Sequence, residues 1–354
     1  MLLKQLRNKI DNLDVKILNL LNQRAREVIK VSKVKKKEKM NTYAPDREES
    51  MVARLKKLNK GPFSAQDVKD VFREILSICR AQRATMKIAY LGPEATFTHI
   101  AAIKKFGKSL DYIECSSISD VFTEVERGRA DYGVVPIENS TEGAVNHTLD
   151  MFIDSGLKIS AEMYLPIKHN LLSSHSKISS VKRVYSHEQV LAQCRKWIEK
   201  NLPNAKLTPC ASTTQAAMLA ALGKGRAAIA SKVAAEEYKL NLLASSIEDS
   251  AHNITRFLII GNQEAEPTKN DKTSIVFSMK DKAGALHDVL MPFKNSKINL
   301  TKIESRPSKK KAWKYYFFVD MEGHKKSPPV KKALKALSEE CLFVKILGAY
   351  PKES

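Results

Sequence analysis

The 354-residue chain is poor in cysteine: Cys79, Cys115, Cys194, Cys210 and Cys341 are scattered, and no two form a Cys-x-x-Cys pair. That spacing argues against a disulfide framework and a thiolate zinc site, so no metal is expected and each cysteine is expected to pack as a small apolar residue. The chain also lacks any run of 18 or more apolar residues, and its start is polar-apolar periodic rather than signal-like. No membrane partner is expected, and the protein reads as soluble and cytoplasmic. Internal repeats of 20–50 residues and low-complexity tracts are likewise missing. What remains is a 43% hydrophobic, 28% charged chain long enough for about two or three domains with real cores.

A net charge of +21 raises the question of nucleic acid. Residues 1–85 carry 21 Lys+Arg against 10 Asp+Glu, residues 86–265 carry 20 against 19, and residues 266–354 carry 19 against 10. The Lys35-Lys36-Lys37 and Lys309-Lys310-Lys311 runs read as solvated surface. They lack interleaved aromatics and any reader motif, so no nucleic-acid partner is expected. Basic ends also suit small dianions. A basic regulator that binds nucleic acid is the alternative from another functional class.

Three textures follow one another. Residues 1–85 read as helix: about Leu2–Met40, closed by Pro45, then about Asp46–Asn59, then a helix capped by Ser64 and ending near Ala84. From Met86, strands at 87–91, 132–135, 158–164, 183–185, 227–230 and 255–260 alternate with helices at 119–127, 189–201 and 213–222. That is an α/β layout with mainly parallel pairing expected. Residues 261–272 are polar, contain Pro267 and read as a linker. The last part has the order β-α-β-β-α-β of a ferredoxin-like domain, with strands at 273–279, 298–305, 313–319 and 344–349. The expected domains are 1–85, 86–265 and 270–354.

In the first helix, Leu3, Arg7, Ile10, Asp14, Ile17, Leu21, Arg24, Val28, Val31 and Lys35 follow a heptad seam. Charges on a buried seam are costly unless paired, and three cations on one seam suit a bound anion. At 1.5 Å per residue, Arg24 and Lys35 lie about 16 Å apart along the axis, within reach of one small molecule. Arg7 and Arg24 lie about 26 Å apart, too far for one ligand, so Arg7 is expected to serve a site on an antiparallel second chain.

These residues resemble the all-helical chorismate mutase family. The resemblance assigns Arg7, Arg24, Lys35, Arg47 and Glu48 to its site, the first from the partner chain. Chorismate rearranges to prephenate without acid, nucleophile or cofactor. The site needs only a dianion held folded and a cation at the ether oxygen. Arg7 and Arg24 would clamp carboxylates, Lys35 would face the ether oxygen and Glu48 would take a hydroxyl. This chain departs from the family at Ala44, where an Asp is frequent, and at Cys79 and Arg83, where Ser and Gln or Glu stand. Gln82 or Arg83 is expected to supply the missing donor.

In the central part, Gly92–His99 follows a strand and opens a helix, Val135–Gly143 follows another strand, and Asn253–Phe257 opens the last. Each places hydroxyls, amides or an arginine at a strand end, where α/β clefts bind small polar ligands. Together with Ser186-His187, Gln193 and Ser212–Thr214 they resemble prephenate dehydratase, which implies two α/β lobes like a periplasmic binding protein with the site between them. The resemblance gives Thr255 the role of donor to the leaving hydroxyl and Arg256 that of raising the local potential. Thr96, Thr98, Asn139, Ser140, Ser186, His187, Gln193 and Phe257 would position substrate. Glu138 is open between a loop cap and a substrate partner. His99, His187 and His252 are alternative proton donors.

Near the C-terminus, Lys282–Leu286 joins a strand to a helix and Glu304–Pro307 ends the next strand. These segments resemble the phenylalanine-binding ACT domain, which implies an effector pocket at Gly284, Ala285, Leu286, Glu304, Ser305, Arg306 and Pro307. The three parts in this order resemble the bacterial bifunctional chorismate mutase–prephenate dehydratase family. The expectation is an enzyme, mutase and dehydratase, of phenylalanine biosynthesis, without a cofactor, inhibited by phenylalanine and forming a homodimer or higher homo-oligomer. A dehydratase with a decayed mutase domain is the alternative within enzymes.

Overall fold

The computed structural model describes residues 1–38, 44–81, 86–250, 252–280, 282–308 and 315–353. It forms two compact units, one of residues 1–87 with 105–111 and one of residues 88–104 with 112–354. Gln82, Arg83, the Lys309–Lys311 run and Trp313 lie outside the described residues.

The first unit is helical: α1 (Leu2–Lys37), α2 (Pro45–Leu58) and α3 (Ala65–Ala81). Residues 2–37 contain neither glycine nor proline, so nothing breaks α1 over roughly 54 Å. Pro45, expected in the connection, is instead the first residue of α2, where its missing N–H would be unsatisfied anyway. Ser64 caps α3 reciprocally. Its Oγ accepts from the Asp67 N–H at 3.1 Å, and Asp67 Oδ2 accepts from the Ser64 N–H at 2.8 Å. Along the α1 seam only Arg24, Val28 and Lys35 are half-buried. Leu3, Ile10 and Ile17 are 61, 56 and 52% exposed.

The second unit holds three sheets. The first lobe orders its strands Asp111–Cys115, Lys87–Leu91, Tyr132–Asn139, Ile254–Gly261 and Lys158–Pro166, with Gly143–Ala144 folded back on Tyr132–Asn139. The second lobe runs Asn241–Ala244, Asn170–Ser173, Arg226–Ala230, Arg183–His187 and Lys206–Cys210. The pairing is mixed, not mainly parallel. Ile254–Gly261 is antiparallel to both neighbours, as are Asn170–Ser173 and Asn241–Ala244 to theirs. The cause is topological: the chain crosses to the second lobe and comes back, so the returning strand enters the first sheet in the opposite direction. The expected helix at 189–201 is two, Glu188–Gln193 and Arg195–Asn201, broken at Cys194 (φ −112, ψ 13).

The third sheet orders Leu300–Pro307, Tyr315–Glu322, Asp271–Met279 and Cys341–Pro351, all antiparallel, with helices Ala285–Asn295 and Pro328–Glu340 completing the ferredoxin-like plan. Alternation along these strands feeds two cores. Ile275, Phe277, Val319 and Met321 pack with the helix residues Val289, Phe293 and Leu337. Val276, Phe318, Leu347 and Tyr350 join Ile137, Phe152, Ile159 and Leu258 of the first lobe in one continuous core. The segment 261–272, read as a linker, therefore joins two parts that pack as one body. Gly348 allows the closest approach: a Cβ there would lie 2.2 Å from the Ile159 carbonyl oxygen.

Candidate active sites and effector pocket

In the first unit, α1 turns Arg24, Val28, Val31 and Lys35 toward α2 and α3. They line a cavity of about 460 Å³ with Arg47, Glu48, Arg54, Cys79 and Arg80. Arg24, Lys35, Arg47 and Glu48 thus meet as expected, and the departures Ala44 and Cys79 line the same cavity. Arg24 Nη1 donates to Cys79 Sγ at 3.2 Å. Arg7, exposed near the far end of α1, is not among the lining residues.

Arg80 was not foreseen. Its side chain is 5% exposed. Nη1 reaches both Glu48 oxygens, at 3.1 and 3.3 Å, and Nη2 donates to the Phe106 carbonyl at 2.9 Å. It sits one helical turn beyond Leu76, another lining residue, and that spacing was the available signal. Burial pushes the Glu48 carboxyl above its usual range, against the pull of Arg80, Lys105, Arg24 and Lys35. A cavity with five cations around one carboxylate suits a dianion.

In the second unit, Thr255 stands opposite Asn139, and Arg256 opposite Glu138, on adjacent strands. Asn139 Nδ2 donates to Thr255 Oγ1 at 2.8 Å and to Asn253 Oδ1 at 2.7 Å. The amide is oriented from its other end. Asn139 Oδ1 accepts from the Thr141 N–H and hydroxyl and from the Glu142 N–H, at 2.9, 2.6 and 3.1 Å. Asn253 Nδ2 then donates to Gln193 Oε1 of the second lobe at 3.2 Å, and Gln193 Nε2 donates to Glu142 Oε1 at 2.8 Å. His169 Nε2 lies 3.0 Å from Gln193 Oε1. The row spans the two lobes. Because the Thr255 oxygen accepts from Asn139, its own proton is free to point at a ligand.

Asn139, Gln193 and Thr255 are therefore gathered as the sequence suggested. Asn253 and His169 join them unforeseen, His169 being 1% exposed with its pKa lowered by burial. Other expected hydroxyls are engaged with backbone. Thr96 Oγ1 donates to the Leu91 carbonyl at 3.1 Å, Ser140 Oγ to that of His252 at 2.6 Å and Ser186 Oγ to that of Ile229 at 2.7 Å. Thr98 and Phe257 are buried, and His187 is half-buried at the head of its helix. His99 Nδ1 accepts from the Ala95 N–H at 3.1 Å and its ring stacks on Tyr90, with burial lowering its pKa. His252 is exposed.

Arg256 and Glu138 point to the other face. The Arg256 guanidinium, 3% exposed, meets Glu162 Oε2 at 2.8 Å, Glu138 Oε1 at 3.1 Å, Asp320 Oδ2 at 2.6 Å and the Tyr350 hydroxyl at 3.0 Å. Glu138 also pairs with Lys302. Burial would raise the Glu138 pKa, but Lys302 and then Arg256 bring it below the usual range. Glu138 is thus neither loop cap nor cleft residue. The alternation of a strand, blurred in a motif read as a triplet, separates Arg256 from Thr255.

Gly284, with φ +80, heads the helix Ala285–Asn295. It lines a cavity of about 470 Å³ with Ala285, Leu286, Lys282, Met279, Tyr315, Phe317 and Leu342. Glu304–Pro307 do not line it. They lie on the edge strand, where Ser305 is exposed opposite Phe317, and Arg306 Nη2 binds both Asp150 oxygens at 3.1 Å. Among the described residues no three His, Cys, Asp or Glu are placed to hold a metal, and no helix is long and apolar enough to cross a membrane.

A cation-lined helical cavity, a two-lobed cleft with a threonine at its strand end and a ferredoxin-like domain define an effector-domain enzyme acting on small organic anions. Residues 6–84 match chorismate mutase type II, residues 88–265 prephenate dehydratase and residues 273–339 the ACT domain. The bifunctional chorismate mutase/prephenate dehydratase of Aquifex aeolicus is 50% identical over 99% of this chain and 98% of its own. That of Pseudomonas aeruginosa is 46% identical over the same shares. The prephenate dehydratase of Arthrobacter aurescens, solved with L-Phe, superposes with a TM-score of 0.70 at 34% identity, over 75% of this chain and 90% of that one. The chain belongs to the bifunctional chorismate mutase/prephenate dehydratase family. It is an isomerase and a lyase in one polypeptide.

Proposed function

We propose that the cavity of Arg24, Lys35, Arg47, Glu48 and Arg80 binds chorismate as a folded dianion and that Arg7 of a second copy completes each site. The bare N-terminal half of the α1 seam supports that partner, and a homodimer follows. Prephenate then occupies the cleft between the lobes. Its ring carboxylate leaves as carbon dioxide, the C–C electron pair enters the ring, and the ring hydroxyl departs as water. Thr255 donates a hydrogen bond to that oxygen while solvent supplies the net proton, because a threonine hydroxyl is too weak an acid to give its own. Phenylalanine binds at Gly284–Leu286, with Ser305 and its neighbours contributed across a dimer, and inhibits dehydration. Gln82 and Arg83 remain part of the mutase proposal, and the cytoplasm is the proposed location. What carries this reading is the 2.8 Å bond from Asn139 to Thr255 Oγ1, in which the threonine oxygen accepts and keeps its own proton for a ligand. Dehydratase turnover of Thr255→Ser and Thr255→Val tests it. Activity kept by serine and reduced about 100-fold or more by valine supports the role, whereas an active valine variant removes the hydroxyl from the chemistry.

A further inference from the structure

The effector cavity lies on one face of the C-terminal sheet and the Arg256 cluster on the other. Phe317 lines the cavity, whereas its strand neighbour Phe318 sits in the core shared with the first lobe, and Asp320 binds Arg256. The adjacent edge strand repeats this division. Lys302, Glu304 and Arg306 are half-buried, while Thr301, Ile303, Ser305 and Pro307 are exposed. Lys302 pairs with Glu138 and Arg306 with Asp150, both of the first lobe. In register, Ser305 stands opposite the cavity residue Phe317, and Lys302 opposite Asp320. A shift of the strand bearing Phe317 therefore moves Asp320 and, through the ladder, Lys302.

We infer that Lys302 is a positioning residue of the dehydratase: by holding Glu138 it sets the strand that presents Asn139 to Thr255, and it is the contact through which the effector cavity acts on that pair. The inference rests on reading this cavity as the phenylalanine site. Its warrant is a shared rung. Glu138 and Asn139 are chain neighbours, Arg256 and Thr255 are chain neighbours, and the two pairs face each other across adjacent strands. Ionic contacts occupy one face of this rung and the Asn139–Thr255 hydrogen bond the other. Interiors transmit such displacements because they are close-packed. An effector changes activity only as far as it binds the two arrangements unequally, and a 5- to 150-fold change is an ordinary coupling.

The test uses the full-length protein with Lys302→Met, which keeps the stem and leaves Glu138 paired with Arg256. Phenylalanine binding is read by calorimetry, and prephenate kcat and KM are read with and without saturating phenylalanine. The variant is expected to bind phenylalanine within about threefold of the parent, to lose less than about tenfold in kcat without effector, and to be inhibited less than about twofold, with Lys302→Arg restoring inhibition. Inhibition of Lys302→Met equal to the parent's overturns the inference. Loss of phenylalanine binding overturns it too, by placing Lys302 in the pocket. If the parent neither binds phenylalanine nor is inhibited, the effector reading itself fails. Should the methionine variant not fold, Lys302→Gln against Lys302→Arg decides by the same readouts.

Discussion

Thr255 and Arg256 are consecutive, yet the Thr255 hydroxyl meets Asn139 at 2.8 Å on one face of the strand while the Arg256 guanidinium meets Asp320 at 2.6 Å on the other. Removing the arginine takes the ion-pair partner from the buried Asp320 carboxylate, while Glu162 keeps Lys272 at 2.8 Å. Breaking a buried pair in this way costs about 3–5 kcal/mol. Arg256→Met is therefore expected to lower the urea stability of residues 88–354 by that amount, measured by tyrosine and tryptophan fluorescence. Parent-like stability would show the cluster to be unimportant to the fold.

The same cluster sets an acid limit. Burial alone would raise the Asp320 pKa, but Arg256 and Ser274 outweigh it and hold the carboxyl below its usual range. A group depressed on folding stabilises fully above its unfolded value, about 3.9, and loses that contribution as pH falls through the folded one. Stability is expected to fall with pH below about 4 and to fall less steeply in Asp320→Asn. Identical acid profiles for parent and variant would contradict this.

In the mutase cavity, Arg80 is the charge that most strongly opposes the burial that raises the Glu48 pKa. Lys105, Arg24 and Lys35 also pull that carboxyl down, and Arg47 and Arg54 line the same cavity. Without Arg80 the pKa climbs further. If the Glu48 carboxylate accepts the substrate hydroxyl, activity falls as pH drops through that pKa. Arg80→Met is expected to move the acid limb of mutase kcat/KM to higher pH, by about one unit, and Arg80→Lys to move it back. An unmoved limb would leave Arg80 with only a structural role.

The helix seam of α1, the order of the three parts and the ferredoxin-like strand order were legible in the sequence because each is a periodic or sequential signal. Asn139 and Thr255 were legible as strand-end polar residues, and Gln193, which ends a helix, only through the family resemblance. The mixed pairing was not, since Ile254–Gly261 owes its direction to a return from another lobe. Asp111–Cys115 and Lys206–Cys210 were missed because their polar residues hide the strand pattern. Arg256, Glu138 and Arg306 read as ligand-binding residues, and their partners Asp320, Lys302 and Asp150 lie 64, 164 and 156 residues away in sequence. No local pattern carries that information.

The proposed sharing of mutase sites between two chains predicts a complementation result. Arg7 and Arg24 lie about 26 Å apart on one helix, so a site using both needs two chains. Co-expressed Arg7→Ala and Arg24→Ala chains, purified as heterodimers, are expected to recover mutase activity that neither homodimer has, since one of two sites regains both arginines. Heterodimers as inactive as the homodimers would confine each site to a single chain.

The most direct measurement supplies chorismate alone to the purified full-length protein and follows prephenate and phenylpyruvate together, with and without phenylalanine. Prephenate is expected to appear first, phenylpyruvate to follow, and phenylalanine to slow the second step so that prephenate accumulates. Chorismate left unconverted, or prephenate formed and never dehydrated, would contradict a chain that carries both activities.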